Sequence, residues 1–265
     1  MKSITDEVIK NIEFEILRDV AQFCEKSNIR YFLACGTALG AVRHDGFIPW
    51  DDDIDIAMPR PDYDNFIKSY KSNKFELLAM EFDDKYPYPF AKVSDKTTNL
   101  VEKISNPFPM GVYIDVFPID GLPESEHERK RHLKLIENDA RVLAWKRISS
   151  GKKVGYIHKL IQIIAKFFLL PVPISVLVKK YDKDVRKYAY DKENFVGHLI
   201  TKATWGSDVK PKKIFDTYTL HTFEGCEFRL PVEYDKYLTI EYGDYMKLPP
   251  VEKQVKKHDF TVEWK

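Results

Sequence analysis

The sequence predicts an α/β fold: a mixed sheet flanked by helices, followed by a mostly helical C-terminal half. Three observations predict it. Short segments that alternate at period two or run continuously apolar cluster before residue 124. Gly36, Pro59, Pro118 and Gly121 stand at their ends, where strand interiors disfavour them. Beyond residue 125 long helical patterns dominate. The expectation is a catalytic core over residues 1–124 and a region over 125–265 that completes a cleft.

Taken in order, residues 3–26 place Val8, Ile9, Ile12, Ile16, Val20 and Phe23 at helical spacing, which predicts an amphipathic helix. "IRYFLACG", residues 29–36, predicts a buried strand ending at Gly36. "TALGAVR" then predicts a short helix, and "HDGFIPW" a turn through Asp45-Gly46. "DIDIAM", residues 53–58, alternates as a strand does and is stopped by Pro59 and Pro61. A helix follows over Asp62–Tyr70. "FELLAM", "FAKVSD" and "NLVEK" predict further strands, as does "GVYIDVFPIDGLP", residues 111–123. Ser125–Ser149 reads as a long charged helix, residues 157–180 as an apolar helical hairpin, and "YDKDVRKYAY" as another helix.

Composition excludes several function classes. A 44% hydrophobic content supports a folded core rather than disorder. With 42 basic and 41 acidic residues the net charge is +1, so no nucleic-acid partner is expected. Cys24, Cys35 and Cys226 form no C-x-x-C pair and read as reduced thiols of a cytoplasmic protein. The N-terminus is too charged for a signal peptide. Gln162, Lys166, Pro171 and Pro173 interrupt the hairpin, which argues against a membrane-spanning helix. Lysines flank it, so two readings stay open. One is peripheral contact with an anionic surface at the inner face of the cell membrane. The other is a pair of buried core helices.

"IPWDDDIDIAM", residues 48–58, sets Asp51, Asp52, Asp53 and Asp55 against an apolar run. Residues i and i+2 of a strand share a face, so Asp53 and Asp55 aim together while Ile54 and Ile56 pack behind them. Crowded carboxylates are costly unless a cation offsets them, and hard oxygen donors suit Mg2+, with Mn2+ as the alternative. The spacing of Asp51, Asp53 and Asp55 also matches the start of an EF-hand loop. That match fails at Ile56, where glycine is needed, and at Asp62, where glutamate belongs. A third carboxylate is expected from Asp115 in "VYIDVFP", with Asp120 in reserve. Gly36 and Thr37, between strand and helix, present backbone N–H groups to a phosphate. Arg43 and Lys92 are candidate phosphate clamps. Asp51 and Asp52 would hold metal-bound water or Arg43.

At "GTALGAVRHDGFIPWDDDIDIAM", "VYIDVFPIDGLP" and "YGDYMKLPP" the chain resembles the LicD family of phosphotransferases, which includes the fukutin-related proteins. The resemblance implies a nucleotidyltransferase-like fold, with Gly36-Thr37, the pair Asp53 and Asp55, and Asp115 as its functional positions. It implies transfer of a phosphorylated alcohol, most often phosphocholine, from a CDP-linked donor such as CDP-choline. The implied acceptor is a hydroxyl of a cell-surface glycan such as a teichoic acid or lipooligosaccharide precursor, lipid-linked in one version of the reading. CMP would leave, and Asp115 would bind the metal or take the acceptor's proton. Trp50, Tyr86, Tyr88 and Trp205 are conceivable walls for a quaternary ammonium. The same acidic pattern also suits a nucleotidyltransferase releasing pyrophosphate or a D-x-D glycosyltransferase. A non-catalytic membrane-associated scaffold is the alternative from outside enzymology.

Overall fold

The computed structural model describes residues 4–102, 107–147, 169–201, 209–256 and 260–265. Helix α1 spans Asp6–Lys26 and buries Ile9, Ile16, Leu17, Val20 and Cys24 along one stripe. Strand β1, Phe32–Leu33, leads into α2, Cys35–His44. The expected strand over 29–36 is therefore shorter, because Gly36 and Thr37 join the first turn of α2. Strand β2 spans Asp55–Pro59 and α3 spans Arg60–Ser69. Helix α3 starts two residues earlier than the prolines suggest. Pro61 sits in its first turn, where a missing N–H costs nothing.

Strands β3 (Phe75–Leu78), β4 (Ala91–Asp95), β5 (Thr98–Glu102) and β6 (Tyr113–Leu122) follow. The main sheet has the order β1-β2-β6-β4-β3. Strand β6 lies parallel to β2 and antiparallel to β4. Its far end, Asp120–Leu122, pairs instead with β7, Phe195–Gly197, which continues to β8, Lys210–Pro211. Strand β6 thus runs through the centre and carries Ile114, Val116 and Ile119, all fully buried. Helices α1, α2 and α3 contribute Leu17, Ala38 and Phe66 to the same core.

Helix α4 (Glu126–Arg147) and helix α5 (Ile174–Val185) build a second cluster. In it Ile136, Ala140 and Leu143 meet Val178, Tyr181 and Val185. Residues 157–168 of the expected apolar hairpin, and Trp205, lie outside the described residues. The remainder of the hairpin packs partly inward through Val178, while Leu170 and Val176 are exposed. Among the described residues no helix is long and apolar enough to cross a membrane.

The C-terminal half also supplies strands that periodicity did not reveal. Strands β9 (Tyr218–Phe223) and β10 (Cys226–Pro231) form a hairpin with Phe223 paired to Cys226. Its two-residue loop has positive φ at Glu224 (50°) and Gly225 (74°), as a type I′ turn requires. Glutamate at the first of these positions is an unusual choice, so the turn signal was weak. The loop braces the turn after α2: the Glu224 N–H donates to the Asp45 carbonyl (2.9 Å), and Phe47 N–H donates to Glu224 Oε1 (3.0 Å). Helix α6 (Tyr234–Tyr242) follows, and β11 (Phe260–Trp264) returns to pair with β5.

Candidate active site

Three neighbouring strands put their functional residues in one row. Asp55 on β2 is in register with Asp115 on β6, and Asp115 is in register with Lys92 on β4. Registered residues on adjacent strands share a face, and the strands lie about 4.8 Å apart. Asp55 and Asp115 are therefore side by side, 60 positions apart in a chain that folds to join them. Asp120 is five positions beyond Asp115 and faces the other way. There it makes a buried two-pronged contact with Arg60, at 2.6 and 2.7 Å. It is thus removed from the acidic row.

Asp53 precedes β2 rather than lying in it, yet its charge acts on Asp55. The segment before the strand turns at Ile48–Asp51, where Asp51 N–H donates to the Ile48 carbonyl (2.9 Å). One ligand atom from each of Asp51, Asp52 and Asp53 lies within 4.8 Å of the others. These are hard oxygen donors, and they form a set able to hold a divalent cation. Asp53 and Asp55 were expected to lead and Asp51 and Asp52 to assist. In the structure Asp51 and Asp52 stand as close to Asp53 as that role requires of a ligand.

Thr37 and Gly36 shape this end of the site from α2. Thr37 Oγ1 accepts a hydrogen bond from the Asp55 N–H at 2.8 Å, so the threonine fixes the strand start that carries the carboxylate. Gly36 lies under the Asp51 side chain: a Cβ there would stand 2.2 Å from Asp51 Oδ2. A larger residue would push that carboxylate aside. The Cys35 N–H, at the start of α2, donates to the Tyr237 hydroxyl on α6 (3.0 Å) and anchors the helix.

Charge is unevenly distributed. Burial first, then Asp53, Asp115 and Asp51, hold the Asp55 carboxyl well above the usual carboxylate range, and Lys92 opposes them. Lys92 is itself buried and ion-paired to Asp115. Its ammonium also sits over the rings of Tyr113 (3.5 Å to the centroid), Tyr88 (4.7 Å) and Phe90 (5.2 Å). Expected as a phosphate clamp, Lys92 is in this structure the counter-ion of Asp115, enclosed by aromatic faces.

Arg43 lies at a cleft of about 480 Å³, the size of a small-molecule site. Gly36, Trp50 and Asp51 line it from the first motif, and Tyr242, Asp244, Tyr245, Lys247 and Lys253 from the C-terminal segment. The Arg43 guanidinium donates to the Tyr245 carbonyl at 2.7 Å, which ties α2 to that segment. Of the aromatics considered as ammonium walls, Trp50 lines this cleft, whereas Tyr86 and Tyr88 pack against each other beneath Lys92. Sequence reasoning missed the functional position of "YGDYMKLPP", which is the second wall of the cleft. It also missed Glu13 of α1, a buried acid whose strongest charged neighbours are Asp53 and Asp52. The signal was present: Glu13 falls on the apolar stripe, four residues after Ile9 and three before Ile16.

Comparison with known proteins matches this arrangement to a family. Residues 28–145 match the model described as LicD/FKTN/FKRP, nucleotidyltransferase domain. The lipopolysaccharide cholinephosphotransferase LicD of Haemophilus influenzae is 32% identical over 267 aligned residues, covering 97% of each chain. An uncharacterised protein of Rickettsia prowazekii is 32% identical over 111 residues, covering 42% of this chain and 40% of its own length. Another, from Rickettsia typhi, is 43% identical over 53 residues, which is 20% of this chain and 17% of its own. With so much of the chain aligned to one relative, and the first motif and β6 inside the matched region, the protein belongs to the LicD/FKTN/FKRP family and is an enzyme of the transferase class.

Proposed function

We propose that the protein transfers phosphocholine from CDP-choline to a hydroxyl of a cell-surface glycan and releases CMP, with Mg2+ or Mn2+ as its cofactor. One observation carries the reading: carboxylates from two separate chain segments, Asp51–Asp55 and Asp115, converge beside a cleft that has a basic wall. The name of the Haemophilus influenzae relative supports choline phosphate as the group moved and lipopolysaccharide as the type of acceptor. A teichoic acid precursor offers the same hydroxyl chemistry. A lipid-linked acceptor would bring the enzyme to the inner face of a membrane, with residues 157–180 as the contact.

Asp53 and Asp55 would hold the divalent cation, with Asp51 and Asp52 close to Asp53; the ion would neutralise charge on a diphosphate and on the departing phosphate. Arg43, Lys247 and Lys253 line the cleft and would draw phosphate oxygens into it. Trp50, Tyr242 and Tyr245 offer ring faces to a cytosine or a trimethylammonium group. Asp115, held in place by its ion pair with Lys92, would take the proton of the acceptor hydroxyl. The acceptor oxygen bonds to the phosphorus of phosphocholine as the bond from that phosphorus to CMP breaks. Positioning and charge supply most of the rate, as in other phosphoryl transfers.

The test is CMP release from a panel of CDP-alcohols, with a glycan acceptor and Mg2+ present. CDP-choline is expected to turn over fastest, and Asp53→Asn to abolish release with the far-UV circular dichroism unchanged. Pyrophosphate release from a nucleoside triphosphate without CMP release, or full activity in Asp53→Asn, would overturn the proposal.

A further inference from the structure

Glu13 is out of place as a structural residue. It sits on the inward stripe of α1 between Ile9 and Ile16, 3% exposed, where every spacing rule calls for an apolar side chain. Its Oε2 atom is fully enclosed and hydrogen-bonded to nothing. Buried carboxylates of this kind are ordinarily paired, because leaving one alone is costly. The charges that act on Glu13 most strongly are Asp53 and Asp52, with Asp115 also contributing. Each of these is negative, and Lys10 opposes them. So α1 buries a further acid within the field of an acidic cluster, and its Oε2 has no hydrogen-bond partner.

A cation resolves this arrangement. Asp51, Asp52 and Asp53 already bring one oxygen each within 4.8 Å of one another. Ile9 and Lys10, one turn before Glu13, line a cavity together with Asp52, and an unpartnered carboxylate oxygen carried on that helix is what a hard divalent ion lacks when only one stretch of backbone supplies its donors. We propose that Glu13 is a ligand of the divalent cation held by Asp51–Asp53, so that α1 contributes to the metal site. The proposal rests on the reading of those aspartates as a cation site. It also gives α1 a role in the enzyme beyond packing: the helix locks to the aspartate segment through the ion.

The experiment titrates Mn2+ into the full-length protein, following free Mn2+ by electron paramagnetic resonance and thermal stability in parallel. Wild-type protein is expected to bind Mn2+ and to melt at a higher temperature when it is present. Glu13→Gln, of the same shape, is expected to weaken Mn2+ binding at least tenfold. Its melting temperature in chelator should equal or exceed wild type, since a buried carboxyl with an unsatisfied oxygen is gone. Equal Mn2+ affinity in Glu13→Gln and wild type would overturn the Glu13 assignment while leaving the aspartate site standing. No Mn2+ binding by wild type would overturn both. If Glu13→Gln does not fold, Glu13→Asp, one methylene short, takes its place and must weaken Mn2+ binding, or the assignment fails.

Discussion

Replacing Lys92 with methionine is the sharpest probe of the acidic row. Lys92 is buried, pairs with Asp115 across β4 and β6, and is the cation that opposes the charges raising Asp55. Methionine fills much the same volume between Tyr88, Phe90 and Tyr113 but removes the ammonium that pairs with Asp115. Breaking one side of a buried pair costs about 3–5 kcal/mol. At about 2.1 cal/mol/K per residue, 265 residues unfold with an entropy near 0.56 kcal/mol/K. The expected fall in melting temperature is therefore about 5–9 °C. Differential scanning calorimetry in chelator reads it. The double variant Lys92→Met/Asp115→Asn should recover a large part of the loss, because it also removes the charge that Lys92 balanced. If Lys92→Met is no less stable than the exposed control Lys71→Met, the buried pair does not hold the row together and the reasoning fails.

Thr37→Val removes the oxygen that accepts the Asp55 N–H, so a loss of about 1–3 kcal/mol is expected by urea unfolding, whereas Thr37→Ser keeps the acceptor and most of the stability. Asp120→Asn breaks the buried contact with Arg60 and should cost about 3–5 kcal/mol, yet CMP release by the folded protein should be unchanged because Asp120 faces away from the row. The raised Asp55 carboxyl stabilises the folded state while protonated. That contribution is complete below the unfolded value of about 4 and is lost as pH rises through the folded value. In chelator, the melting temperature of wild type minus that of Asp55→Asn should therefore fall as pH rises from 4 towards 8, and parallel profiles would contradict it.

Much of the catalytic half could be read from the sequence because its signals are local. The alternation in "DIDIAM" and the apolar run around Asp115 each predicted a strand, and both strands are present as β2 and β6. What no local pattern carries is which strands lie side by side. That β2 and β6 are parallel neighbours with Asp55 level with Asp115 is a property of the sheet. Lys92 was visible as a lysine in a strand, but its aromatic enclosure and its pairing depend on the β4–β6 register. The C-terminal wall was hidden for a related reason. Tyr242–Lys253 has little regular structure, so periodicity says nothing about where it packs. Glu13 was legible as a charge on an apolar stripe, though the influence of Asp53 on it depends on how α1 packs.

The most direct test of the central claim is anomalous X-ray scattering from crystals of the full-length protein grown with Mn2+ and a non-hydrolysable CDP-choline analogue. A manganese peak is expected between the Asp53 and Asp55 carboxylates, with the diphosphate running from it into the cleft beside Arg43. Nucleotide bound in the cleft with no manganese at those aspartates, or manganese bound elsewhere on the molecule, would contradict it.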